Sequence, residues 1–95
     1  MPVKFSWDDH KNRSNFKKHG VWFEEAQTIW ADGKSLEFFD FDHSEDEDRY
    51  LRVGLSARLN VLLVVFCEHQ EGELIYIISA RKATKKEKEQ YEKRI

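Results

Sequence analysis

Val61-Leu-Leu-Val-Val-Phe66, followed after Glu71-Gly72 by Leu74-Ile-Tyr-Ile-Ile-Ser-Ala80, decides the fold. The first run is apolar at every position, as a strand must be when both of its faces are covered. Glu71-Gly72 has the chemistry of a hairpin turn, because glycine tolerates the positive φ such turns require. The second run therefore reads as the antiparallel neighbour of the first. Upstream, Arg49 to Ser56 alternates, with Leu51, Val53 and Leu55 on one side and Tyr50 and Arg52 on the other. Leu36-Glu-Phe-Phe-Asp-Phe41 reads as one more strand. The spacing predicts that Leu36–Phe41, Arg49–Leu55, Val61–Phe66 and Leu74–Ala80 pair in one antiparallel sheet.

Helices flank these strands. Lys4-Phe-Ser-Trp7 is a short first strand, and Asp8 or Asp9 caps a helix that runs to about His19 and stops at Gly20. That helix is poor in apolar residues, with Phe16 as its main anchor. Phe23, Ala26, Ile29 and Trp30 recur at helical spacing in a second helix, which Asp32-Gly33 ends. Thr84 and Glu87 form a capping box that opens a last helix through about Arg94. The acidic run from Asp40 to Asp48 is a solvated loop. The result is a single α+β domain over residues 1–95, an antiparallel sheet with two N-terminal helices and a C-terminal helix.

The chain has 95 residues, enough for one core, and its seven Phe, three Trp and three Tyr fill that core economically. No apolar run approaches the roughly 20 residues of a membrane span, and the N-terminus lacks a signal peptide's apolar region. Cys67, the single cysteine, reads as a small core residue in a reducing cytoplasm. The net charge of −2 hides a segregation: five Lys/Arg against two Asp from Lys4 to His19, and two against ten Asp/Glu from Glu24 to Arg49. From Ser79 to Ile95 the count turns basic again, seven Lys/Arg against three Glu. Two basic ends that met in space would make a positive surface on an acidic protein; otherwise each is a solvated helix face.

Several side chains are candidates for chemistry. Arg81 and Lys82 stand where a strand gives way to a helix, so an Arg fork and a Lys point charge can meet a phosphate there. Thr84 and the first amides of the helix, with Lys85 and Lys86 beside them, would extend that anion site. The plainer alternative is that Arg81 pairs with a carboxylate of the acidic loop. His69, in the hairpin facing the strand that ends at Arg81, suits proton transfer near neutrality, or is simply solvated. Arg49 and Arg52, three residues apart on one strand, point to opposite faces, so at most one serves a site. His43 either orders its loop or takes part in catalysis, and Glu68, Tyr76 and Tyr91 remain possible proton-transfer or stacking groups. Lys18-His19-Gly20 is a good helix C-terminus, and Trp7 and Trp22 suit a core or a partner surface. No zinc-like spacing, nucleotide loop or nucleophile elbow is present, so neither a metal nor a cofactor is expected.

The ordered set Phe5-Ser-Trp7-Asp8, Lys11, Asn15, Lys18-His-Gly20, Phe23-Glu-Glu-Ala26, His43-Ser44, Arg49, Gly54, Ser56 and Ile77 to Thr84 resembles the BrnT family of type II toxins. Asp40-Phe-Asp-His-Ser44 is similar to an Asp-x-x-His-Ser pattern of that family, and Arg49 with Gly54 to its arginine-then-glycine spacing. The departures are Ser56-Ala-Arg-Leu-Asn60, where a glycine-containing turn is common, His69, where many members have an arginine, and Tyr76. The resemblance implies a RelE-like fold and an endoribonuclease, independent of the ribosome, that inhibits translation and growth. It also implies an antitoxin with a ribbon-helix-helix DNA-binding segment, a heterotetramer with that antitoxin, and contact with operator DNA only through it. On this footing Arg81 would be the main transition-state cation, helped by Lys82 and Arg49, with His69 as acid or base. Arg52, Thr84, Lys85 and Lys86 would contact RNA. The competing reading is a RelE-like module without catalytic strength that binds an antitoxin partner or nucleic acid.

Overall fold

In a computed structural model, which describes residues 3–43 and 47–93, Val61–Phe66 is the centre of a five-stranded sheet. The elements are β1 (Lys4–Ser6), α1 (Asp9–His19), α2 (Phe23–Ala26), β2 (Leu36–Phe39), β3 (Arg49–Leu55), β4 (Val61–His69), β5 (Leu74–Lys82) and α3 (Lys85–Lys93). Strand order is β1-β5-β4-β3-β2, and β2 through β5 are antiparallel neighbours as the sequence predicts. β1 joins β5 in parallel, with Lys4 opposite Leu74, so the whole sheet is mixed.

The continuous apolar run is explained by two covered faces. Leu62, Val64 and Phe66 face the main core, which β5 completes with Ile75, Ile77 and Ala80 and the α2 segment with Phe23, Ala26 and Ile29. Leu63 and Val65 face a smaller cluster with Val53 and the ring of Tyr91 from α3. Phe66 is fully buried, between Trp30 (4.9 Å, edge-on) and Tyr50 (5.7 Å, stacked). Burying such a ring is worth about 2–3 kcal/mol.

Several element ends differ from the sequence reading. β2 stops at Phe39, and Phe41–His43 turns as a 3₁₀ segment with Phe41 84% exposed. The second helix makes one α turn and continues as a 3₁₀ segment over Gln27–Ala31. β4 and β5 both outrun their expected ends, because Cys67–His69 go on pairing with Leu74–Tyr76 and Arg81–Lys82 with Leu62–Leu63. Arg81 is therefore a strand residue and not a junction residue.

α1 is held differently from expected. Its buried residues are Asn12 and Asn15, while Phe16 is 39% exposed and stacks on Trp22 at 4.1 Å. Asn12 accepts from Phe23 N (2.8 Å) and donates to Glu24 Oε1 (2.9 Å). Asn15 donates to Val21 O (2.9 Å) and Ala80 O (2.8 Å) and accepts from Ala80 N (3.1 Å). Since β1 covers only Leu74–Tyr76, Asn15 takes over the pairing of the β5 edge beyond it. A sparse helix thus docks by side-chain amides where apolar residues would normally serve. The expected caps are present: Asp8 accepts from Lys11 N (2.9 Å), and Gly20 adopts the left-handed conformation at φ 70°.

Candidate active site

Arg49, Cys67 and Tyr76 are cross-strand partners in β3, β4 and β5, so one row of the sheet carries all three on one face. A bulge lies next to this row: Val65 pairs with Ser79 and Phe66 with Ile77, leaving Ile78 as an extra residue on β5. Over the row opens a cleft of about 450 Å³. Arg49 and Tyr76 line it, Cys67 lies at its floor, Lys11 reaches it from α1, and Asp42 and His43 come from the turn after β2. Glu47 also lines it.

The cleft's groups have definite partners. His43 Nδ1 lies 3.1 Å from Asp40 Oδ2 and 3.2 Å from Oδ1, so a carboxylate orients the ring. His69 Nε2 lies 2.8 Å from Glu47 Oε1; His69 is outside the lining, but its partner belongs to it. Burial, aided by the charge of Glu47, pushes the Cys67 thiol above its ordinary pKa, which suits a floor residue and not a nucleophile. Among the described residues no group of three His, Cys, Asp or Glu side chains is placed to hold a metal ion.

Of the residues singled out from sequence, Arg49, His43 and Tyr76 line the cleft and His69 lies beside it; Arg81, Lys82, Thr84, Lys85, Lys86, Arg52, Glu68 and Tyr91 do not line it. Arg81 shares the face of Arg49, but it pairs with Leu63 while Arg49 pairs with Cys67, four β4 residues or ~13 Å along the strand. There its guanidinium makes a two-pronged contact with Glu87, Nη1 to Oε1 at 2.8 Å and Nη2 to Oε2 at 2.9 Å. That bond raises the Arg81 pKa and depresses the Glu87 carboxyl to about 2. A carboxylate does hold Arg81, but it comes from α3 and not from the acidic loop. The same carboxylate accepts from Thr84 N (2.8 Å) while Glu87 N donates to Thr84 Oγ1 (3.2 Å), which confirms the capping box. Thr84 is thereby committed to the helix start, and Lys85 and Lys86 are exposed in the first turn that it caps. Lys82 is exposed at the end of β5, one residue on from Arg81 and so toward the opposite face.

Arg52 lies on the opposite face from Arg49, as its position predicts. It donates to Glu37 Oε1 (2.6 Å), and its guanidinium carbon lies 5.1 Å from the Trp30 ring centre. Glu68 shares that face, where burial and then the charge of Glu37 raise its pKa against the opposing effect of Arg52. Tyr91 is a buried α3 residue that donates to Asp32 Oδ2 at 2.5 Å.

A family profile described as "Ribonuclease toxin, BrnT, of type II toxin-antitoxin system" matches residues 7–87. The chain belongs to the BrnT family. Among solved structures it is similar to the Brucella abortus ribonuclease toxin BrnT, with a TM-score of 0.65 and 24% identity, over 87% of this chain and 99% of that one. That likeness is one of fold. No curated protein matches the chain. Membership in a type II BrnT family implies an antitoxin partner, and no described helix is long and apolar enough to cross a membrane.

Sequence reasoning underrated Lys11, His43 and Tyr76. In the sequence Lys11 stands out only as a matching residue on a polar helix, and Tyr76 as a possible proton-transfer or stacking group that departs from the family pattern. The hairpin register is a signal for Tyr76 alone: Glu71-Gly72 as a turn puts Tyr76 opposite Cys67, and strand pairing then adds Arg49 to the same row.

Proposed function

We propose that this BrnT-family chain is a metal-independent endoribonuclease that works in the Arg49 cleft, arresting translation and growth until an antitoxin covers it. The observation that carries this reading is the Arg49–Cys67–Tyr76 row, with Lys11 and His43 converging on it from separate elements. Arg49 offers a fork for a phosphodiester and Lys11 a point charge, the groups that stabilise a phosphorane-like transition state. The attacking group is the RNA's own 2′-hydroxyl. Its oxygen bonds to the adjacent phosphorus, the 5′-oxygen leaves, and a cyclic phosphate remains on the upstream product.

That reaction removes one proton from the 2′-oxygen and returns one to the 5′-oxygen. His43, with Nδ1 against Asp40, moves a proton through Nε2. The Tyr76 hydroxyl and the His69–Glu47 pair are the other proton carriers at hand. Arg81, bound to Glu87, fixes α3 and acts at a distance as a positioning residue.

The antitoxin carries a ribbon-helix-helix segment and contributes an acidic or amphipathic stretch that covers the cleft. Two DNA-binding arms bring two toxins together as a heterotetramer, and operator DNA is met only through those arms. The test is incubation of the purified chain with RNA in excess chelator, followed by analysis of the product ends. Cleavage with cyclic phosphate termini supports the reading; intact RNA, or cleavage only after a divalent cation is added, overturns it.

A further inference from the structure

The cleft does not end at Lys11. A second hollow of about 170 Å³ continues from it along α1 and shares Lys11 and Ile78 with it. Ser14, Lys18 and His19 line its helix side and Ser79 its strand side. The chemistry of the two spaces differs. The cleft includes the carboxylates of Asp42 and Glu47, whereas the hollow is lined by cations, hydroxyls, a ring, an amide and one apolar side chain, with no acid. Lys11, Ser14 and Lys18 fall at helical spacing on one side of α1, and Lys11 and Lys18 are ~10 Å apart along its axis. Asn15, between them, anchors that side to Ala80 of β5, so the cations stand on a helix fixed to the sheet edge.

We propose that this hollow is a phosphate subsite for RNA flanking the scissile bond, with Lys18 and His19 contacting a backbone phosphate one or more nucleotides away from it. The subsite rests on the reading of the cleft as an RNA site. An anion placed in the hollow meets hydrogen-bond donors from both walls, the Ser14 and Ser79 hydroxyls among them, and no repelling carboxylate. The strand therefore passes from the cleft over Lys11 and along α1, and the contact reads backbone charge without regard to base. Affinity then rises with oligonucleotide length on one side of the cleavage point, until the Lys18 subsite is filled.

The experiment uses RNA oligonucleotides of graded length, 2′-O-methylated so that the attacking hydroxyl is blocked and binding is measured without cleavage. Titrations over a range of salt compare the parent with Lys18→Gln, Lys18→Arg and Arg13→Gln. Arg13→Gln removes the same charge from the opposite side of α1. Losing one phosphate contact from a single strand lowers the slope of log Kd against log salt by about 0.7. Lys18→Gln is expected to show that drop and to lose the gain from the added nucleotides; Lys18→Arg restores both, and Arg13→Gln matches the parent. On cleavable RNA, Lys18→Gln raises KM more than it lowers kcat.

Equal slopes for Lys18→Gln and Arg13→Gln overturn the subsite, because only net charge is then being read. So does a Lys18→Gln protein that loses antitoxin and keeps its RNA slope, since the hollow would then be a protein contact. A parent that binds with the Lys18-dependent slope but never cuts keeps the subsite and refutes the ribonuclease reading. A parent that cuts while Lys18→Gln changes nothing does the reverse.

Discussion

Replacing Glu87 by Gln tests whether Arg81 is a structural cation. The Glu87 carboxyl is depressed from 4.5 to about 2, chiefly by the Arg81 hydrogen bonds. The displacement from 4.5 to about 2, at 1.36 kcal/mol per pH unit, gives a ceiling of about 3.4 kcal/mol. The two side chains are 37% and 26% exposed, so solvent screening reduces this to roughly 1–2 kcal/mol. Glutamine still accepts from the Thr84 amide, so the capping box survives and the loss reports the ion pair. In a domain of this size the change lowers the melting temperature by roughly 5–15 °C at neutral pH.

The pH dependence has a definite sign. A carboxyl depressed on folding contributes fully above its unfolded pKa, near 4.5, and loses that contribution as pH falls towards 2. The gap between parent and Glu87→Gln should therefore be widest at neutral pH, shrink below about pH 5 and close near pH 2. Circular dichroism melts of both proteins across that range measure it, and Arg81→Ala completes a double-mutant cycle. A gap that does not change with pH, or a Glu87→Gln protein as stable as the parent at neutrality, would falsify the structural assignment of Arg81.

Three further outcomes follow from the packing. Asn15→Ala strips partners from Ala80 N and from the carbonyls of Val21 and Ala80, at about 1–3 kcal/mol for each buried group left unsatisfied, so its urea midpoint should fall steeply; an unchanged midpoint counts against the amide-docked helix. Tyr91→Phe removes the bond to Asp32 and should cost about 1–2 kcal/mol. Burial and that bond raise the Tyr91 pKa from 10.0 to about 12, so its contribution is full below pH 10 and fades as pH climbs through 12; denaturant curves on either side of that window decide. Gly54→Ala would place a Cβ 2.9 Å from Ser35 Cβ and 3.1 Å from Ile29 Cβ, an overpacking worth about 1–3 kcal/mol, and an unperturbed melt would show that the 3₁₀ segment yields freely.

The sheet was legible because its signals are local. An all-apolar run, a glycine turn and an alternating strand fix pairing and register together, and Thr84 with Glu87 marks the last helix. β1 was harder to place, since three residues cannot announce whether they pair parallel or antiparallel. The hold on α1 was missed because Asn12 and Asn15 look like solvent residues; only the fold supplies the backbone groups they satisfy. Arg81 was overrated for a similar reason. A cation next to a helix start reads as an anion site until the N3 carboxylate, already needed by the cap, is seen to reach back and hold it. The cleft gathers side chains from α1, the turn after β2 and three strands, and no local pattern spans that distance in sequence.

In the proposed reaction Arg49, and not Arg81, is the catalytic cation. Single-turnover cleavage of a defined RNA in chelator, by Arg49→Ala with its fold verified by circular dichroism, tests it most directly. Loss of one preorganised charge from the transition state predicts a fall on the order of 10²–10³ in rate in a protein that remains folded. An Arg49→Ala protein that cuts as fast as the parent would move the chemistry out of this cleft.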